Sequence, residues 1–126
     1  MSWQEYVDVQ LLSTGNIQRA AIIGQAGGVW ASSAGYTLSP QEQQAVLRVF
    51  TDPSAAQASG VRLAGKKFFA VQVDDQHLYG KQGAGGCTIV KTTQAVIIGE
   101  YDPPTQGPEA NLVVEKLGDY LRSVGY

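Results

Sequence analysis

The chain has 126 residues, 44% of them hydrophobic and 16% charged, with a formal net charge of −2. That is enough apolar chain for one domain with a single core, and too little positive charge for bulk nucleic-acid binding. A single cysteine, Cys87, excludes an intramolecular disulfide and points to a reducing compartment. No apolar stretch approaches the ~20 residues that span a bilayer. The N-terminal stretch lacks a basic segment followed by an apolar run, and its second residue is Ser2 and not Gly. The expectation is therefore a cytoplasmic protein without secretory signal or myristoyl anchor.

In chain order, Ser2-Trp3-Gln4-Glu5 fits a capping box and predicts a helix through about Leu12. Val7 and Leu11 mark its core stripe; Trp3, Tyr6 and Gln10 form a neighbouring stripe. Gly15 and Asn16 end it. The apolar runs Ala20 to Ile23 and Val29 to Ala31, separated by Ala26-Gly27-Gly28, predict a hairpin. Ser39-Pro40-Gln41-Glu42 is a second capping box with proline at the first helical position. Asp52-Pro53 breaks that helix, and Ser54 to Ser59 has room for one short helical turn. Strands are then expected at Val61 to Leu63, Phe68 to Val73, His77 to Tyr79, Thr88 to Val90 and Ala95 to Ile98. Their short connections favour antiparallel pairing. Ala110, Val113, Val114, Leu117, Leu121 and Val124 follow helical spacing and predict a final helix over about Pro108 to Ser123. Helices flanking a mostly antiparallel sheet make an α+β domain spanning residues 1–126.

Several motifs invite chemistry that their context does not support. Gly80-Lys81-Gln82-Gly83-Ala84-Gly85-Gly86 misses the phosphate-loop spacing, because no Gly-Lys-Ser/Thr opens a helix; a flexible hairpin loop is expected. His77 is the only histidine and is read as a sheet residue, Cys87 as a buried small apolar residue, and Asp74-Asp75 as turn residues. An enzyme would have to use Cys87 or His77, so no catalytic residue, metal or cofactor is assigned. Lys66, Lys67, Lys81 and Lys91 are either solvated guards of strand edges or a modest basic face for an acidic partner.

The aromatic residues carry a more specific signal. Trp3 and Tyr6 share a helix face, Trp30 lies in the first hairpin, and Tyr120 and Tyr126 close the chain. If the terminal helices pack side by side, all five rings meet in one shallow patch. Rows of rings with polar edges grip polyproline II segments, with prolines between the rings and Trp N–H or Tyr O–H groups reaching ligand carbonyls.

MSWQEYVD, VWASSAG, LAGKKF, LYGK, IVKTTQAVIIGEY and VEKLGDYLRSVGY together resemble the profilin family, in order and along the whole chain. The resemblance is to the short profilins of fungi, amoebae and other lower eukaryotes. It implies a non-enzymatic, monomeric, cytoplasmic and cytoskeletal protein that binds monomeric actin and proline-rich proteins such as formins. It also implies a central antiparallel sheet with the N- and C-terminal helices on one face and smaller helices on the other. By resemblance, Trp3, Tyr6, Trp30, Tyr120, Leu121 and Tyr126 line the polyproline groove. Lys67, Phe69, Val71, Lys81, Lys91, Gly107, Asn111 and Lys116 form the actin face. Gln72 and Gln76 stand where related profilins often carry arginine. Glutamine offers no charge to a phosphate, so weak polyphosphoinositide binding and reduced actin affinity are expected. The alternative function is a phosphoinositide-responsive membrane adaptor.

Overall fold

The computed structural model describes residues 2–126. A seven-stranded antiparallel sheet forms its centre, in the order β2-β1-β7-β6-β5-β4-β3. The strands are β1 (Arg19–Gly24), β2 (Val29–Ser32), β3 (Val61–Leu63), β4 (Lys66–Val73), β5 (His77–Gln82), β6 (Gly85–Lys91) and β7 (Ala95–Tyr101). Helix α2 (Pro40–Val49) and helix α3 (Pro53–Ser59) cover one face. The N-terminal helical segment and α4 (Gly107–Ser123) cover the other. The α+β expectation and the assignment of helices to faces hold.

Two cores result, one on each side of the sheet. Val46, Val49 and Phe50 of α2 pack with Ala56 of α3 on Phe68, Leu78, Ile89 and Ile98. On the opposite face Val7 and Leu11 join Val114, Leu117 and Leu121 over Ile22, Val90 and Ile97. Both predicted capping boxes are present. The Ser2 and Ser39 hydroxyls accept from the Glu5 and Glu42 amides at 3.1 Å, and each glutamate reaches back to its cap amide.

Two expectations change. The first helix is composite: an α-turn α1 (Trp3–Glu5), a π-helical stretch Tyr6–Leu11 and a 3-10 turn Leu12–Thr14. Its core and neighbouring stripes survive, because a π-turn still stacks residues near four apart. The Gly80–Gly86 segment is not a flexible loop. It pairs through Gln82 and again from Gly85, leaving Gly83-Ala84 as the turn. A side chain at Gly80 would strike Cys87, and one at Gly86 would strike Tyr101. These glycines thus permit close packing, where the sequence alone suggested mobility. Helix α4 runs as expected, starting at Gly107 with the Gln106 amide donating to Glu109 at 2.9 Å.

One carboxylate is fully buried among the described residues. Glu100 of β7 lies on the α2 face, where its Oε1 meets Lys66 Nζ at 2.7 Å and Arg19 Nε at 3.2 Å. The Arg19 guanidinium also forks onto both oxygens of Asp102, at 2.6 and 3.0 Å. Two cations on one carboxylate offset the desolvation that burial imposes.

Candidate functional site

The N-terminal segment, β2 and the end of α4 bring five rings together. Trp3 is the hub: its ring centroid is 4.6 Å from Trp30, 5.2 Å from Tyr126 and 5.4 Å from Tyr6. Tyr6 lies 6.1 Å from Tyr120, and Trp30 lies 6.4 Å from Tyr126. The planes are tilted or edge-to-face, the arrangement that ring quadrupoles favour. None of the five is fully buried; Tyr120 is 50% and Tyr126 43% exposed. The Tyr6 phenol is pushed above its ordinary pKa by burial first, then by the neighbouring Tyr120 hydroxyl, and stays a hydrogen-bond donor at neutral pH.

Leu121 differs from the other residues expected to line this patch. It is 0% exposed and belongs to the core beneath the rings. It forms the floor of the patch and cannot touch a ligand on the surface.

Two supports of the patch carried no clear sequence signal. Gly24 is the seat of Trp30: a Cβ there would lie 2.6 Å from the indole Nε1. The turn between β6 and β7 holds the position of Tyr126. Thr92 Oγ1 and the Gln94 amide donate to the Tyr126 main-chain oxygen at 2.7 and 2.5 Å, and Gln94 Nε2 donates to Gly125 O at 2.8 Å.

Beyond Tyr6 and Tyr120 the patch opens into a cleft of about 690 Å³. Gln10 and Thr14 from the N-terminal segment face Val113, Lys116 and Leu117 from α4 across it. The cleft therefore contains Lys116, which was expected on the actin face. On α4 this residue points about 140° away from Asn111 at 100° per residue.

The second expected face lies on β4, β5 and the first half of α4. Phe69 is 70% and Val71 61% exposed, the most exposed large apolar side chains of the sheet. Phe69 pairs across strands with Lys81, and the Lys81 ammonium sits 5.9 Å from the Tyr101 ring centroid. Val71 is the extra residue of a bulge between Ala70 and Gln72, which turns it outward. Lys67 is exposed and shares the strand face of Phe69. Gly107 lies next to Tyr101, and Asn111 accepts from Thr88 Oγ1 at 2.5 Å. Tyr79 and Glu115, joined by a 2.5 Å hydrogen bond between β5 and α4, belong to this surface and carry no sequence signal of their own.

Lys91 is not on that face. It pairs with Val96 and lines a separate recess with Leu47, Arg48 and Phe50 of the α2 side. Residues 67, 69, 81, 107 and 111 and the bulged Val71 thus come together, Lys116 stands exposed on the flank of α4 that borders the cleft, and Lys91 lies elsewhere.

The residues considered for catalysis are apart and engaged. Cys87 is buried under Gly80, and its thiol pKa is raised by burial and then by the Glu100 charge, which suppresses the nucleophilic thiolate. His77 Nδ1 lies 3.1 Å from Asp74, whose Oδ1 also accepts from the Gln76 and His77 amides at 2.8 and 2.7 Å. This is a turn-closing carboxylate. No group of three metal-ligating side chains occurs among the described residues.

The helix-flanked antiparallel sheet defines an α+β domain with an aromatic patch between its terminal helices. The profilin family model matches residues 1–126. Profilin-1 of Dictyostelium discoideum is 45% identical over 126 residues, covering all of both chains. The crystal structure of Acanthamoeba castellanii profilin II superposes with a TM-score of 0.96 at 44% identity, over 99% of this chain and 100% of that one. Mouse profilin IIa, in complex with a double repeat from the FH1 domain of mDia1, matches with a TM-score of 0.82 at 25% identity over the full length of both chains. The chain belongs to the profilin family, whose members are non-enzymatic actin-binding regulators.

Proposed function

We propose that this protein binds monomeric actin through the β4–β5–α4 surface and proline-rich segments through the aromatic groove, and regulates polymerisation by bridging the two. The observation that carries the reading is the separation of two differently built faces on one rigid sheet. The groove is a ring cluster centred on Trp3. The other face has exposed Phe69 and Val71 at its centre, with Lys67 and Lys81 around them. Trp30 on β2 and Phe69 on β4 stand five strand positions apart, about 24 Å in a flat sheet. One ligand therefore leaves room for the other.

Chemistry supports each assignment. Polyproline II segments are stiff before binding, so flat rings capture them at low entropic cost. A formin-like FH1 segment is the partner class, as in the mouse complex. On the sheet face, an apolar centre supplies affinity, while lysines speed and orient docking on an acidic surface such as actin. Tethering then raises the local concentration of actin at a filament end. Gln72 and Gln76 are both exposed and uncharged, so polyphosphoinositide binding would rest on the remaining lysines and is expected to be weak. Among the described residues no helix is long and apolar enough to cross a membrane. Residence in the cytoplasm and the cytoskeleton follows from the proposed partners.

The direct test is isothermal titration of a proline decamer and, separately, of monomeric actin. Trp3→Ala should weaken the first by about 30-fold or more and preserve the second; Phe69→Ala should weaken the second by about tenfold or more and preserve the first. Equal loss of both in either variant would refute the two-face assignment.

A further inference from the structure

We propose that Arg62 and Lys67, paired across β3 and β4, form a two-cation clamp that extends the Phe69 surface to the sheet edge and takes a carboxylate of the actin partner. This rests on the reading of that surface as the actin-binding face.

The register places the pair. Arg62 stands directly opposite Lys67 in the β3–β4 ladder, and Phe69 directly opposite Lys81 in the β4–β5 ladder. Val61, Leu63 and Phe68 are buried in the core on the α2 side, so strand alternation turns Arg62, Lys67 and Phe69 to the other face. Arg62 therefore continues the row of Lys81, Phe69 and Lys67 outward, onto the edge strand β3.

The two cations are placed at a cost. Directly opposite side chains stand about 5 Å apart at Cβ, and like charges there destabilise the sheet. One charge on β3 is enough to guard an edge strand, so guarding does not explain a second in register with it. Both side chains are exposed, and neither makes an ion pair among the described residues. Lys66 points the other way, onto buried Glu100. Glu115 keeps its negative charge on its bond to Tyr79, but Tyr79 lies on β5, two strands from Arg62 and about 10 Å in a flat sheet. That is about one Debye length at physiological salt, so Glu115 does not neutralise the pair.

The partner chemistry follows. A guanidinium forks onto a carboxylate, and an ammonium beside it adds a further donor. Gln72 and Gln76 leave the far end of β4 and its turn uncharged, so the positive charge of this strand faces out at its Lys67 end. An exposed apolar centre with a charged rim is the anatomy of a protein interface, which favours an acidic side chain of the docked protein over a lipid headgroup.

The test measures association rate and affinity for monomeric actin at low and high salt, with proline-decamer titration and urea denaturation alongside. Arg62→Gln should slow association and weaken actin about two- to fivefold at low salt, as expected for a rim charge, and the difference should fade at high salt. Arg62→Lys should recover part of the loss, and Arg62→Glu should weaken actin further. Proline binding should be unchanged, and the urea midpoint of Arg62→Gln should not fall, because a like-charge pair is removed. Unchanged actin binding in Arg62→Gln, while Phe69→Ala still weakens it, would overturn the inference and leave the face assignment standing. So would a fall in the urea midpoint that accounts for the loss, or reduced binding to phosphatidylcholine–phosphatidylserine vesicles with actin binding intact. Actin binding unaffected by Phe69→Ala would instead overturn the face assignment, and the clamp with it.

Discussion

Replacing Trp3 by alanine removes the ring that touches three others, at 4.6, 5.2 and 5.4 Å. Each aromatic pair contributes roughly 0.5–1.5 kcal/mol beyond its buried area. The contacts are not additive, and Trp3 is only half-buried, so a folding cost of about 2 kcal/mol is expected. Domains of this size hold roughly 5–15 kcal/mol, so the variant stays folded. Binding suffers more, because Trp3 is the hub of the cluster and truncating a central aromatic anchor costs at least about 2 kcal/mol. That is a loss of about 30-fold or more in affinity. Titration with a proline decamer reads the loss, urea denaturation reads the folding cost, and actin binding serves as the internal control. Trp3→Phe keeps a ring and should recover part of the affinity. Unchanged proline binding, or parallel loss of actin binding in a fully folded variant, would refute the reasoning.

Four further outcomes follow from the geometry. Gly24→Ala places a methyl 2.6 Å from the Trp30 indole, so it should tilt that ring and weaken proline binding several-fold while costing about 1–3 kcal/mol of stability, read by Trp fluorescence and titration. Phe69→Ala removes a side chain that is 70% exposed, so stability should move by less than about 0.5 kcal/mol while actin affinity falls tenfold or more, read by co-sedimentation or titration. Arg19→Gln leaves Lys66 as the only cation on buried Glu100 and should cost roughly 2 kcal/mol, below the usual cost of breaking a buried pair because that second cation remains. Asp102 is held below the usual carboxylate range by its hydrogen bonds to Arg19, with burial opposing. A depressed folded pKa gives stability that is present above the ordinary aspartate value and lost as pH falls through the folded one. Asp102 is half-exposed, so Asp102→Asn should cost no more than about 1 kcal/mol at pH 7, and the difference from wild type should vanish toward pH 2 in urea titrations.

Much of this fold is legible because its signals are local. Ser2 with Glu5 and Ser39 with Glu42 announce helix starts, and both reciprocal caps form. Gln106 does not announce one, because glutamine is an uncommon N-cap, yet the apolar spacing from Ala110 onward still places the helix within one residue of its observed start. The π-helical turn has no compositional signature. The groove was legible as a set of rings, yet whether Leu121 lines or underlies it depends on packing depth. The misplaced Lys91 has a clear cause. Strand β6 is covered on both faces, so Ile89 and Val90 are both buried and the strand lacks the alternation that would show which way its terminal lysine points. Lys116 borders the cleft because helix α4 lines the cleft with one flank and carries Glu115 toward the sheet surface with the other. The glycines around the β5–β6 turn looked like mobility, and in fact they allow Cys87 and Tyr101 to pack against the backbone.

The central claim is that one small domain holds two ligands on separate faces. It is tested most directly by titrating a proline decamer into the protein alone and into its complex with saturating monomeric actin. The account predicts equal affinities within about twofold and a ternary complex by analytical ultracentrifugation, since the groove and the Phe69 surface stand about 24 Å apart in a flat sheet. Displacement of actin by the peptide, or a loss of peptide affinity that scales with bound actin, would contradict it.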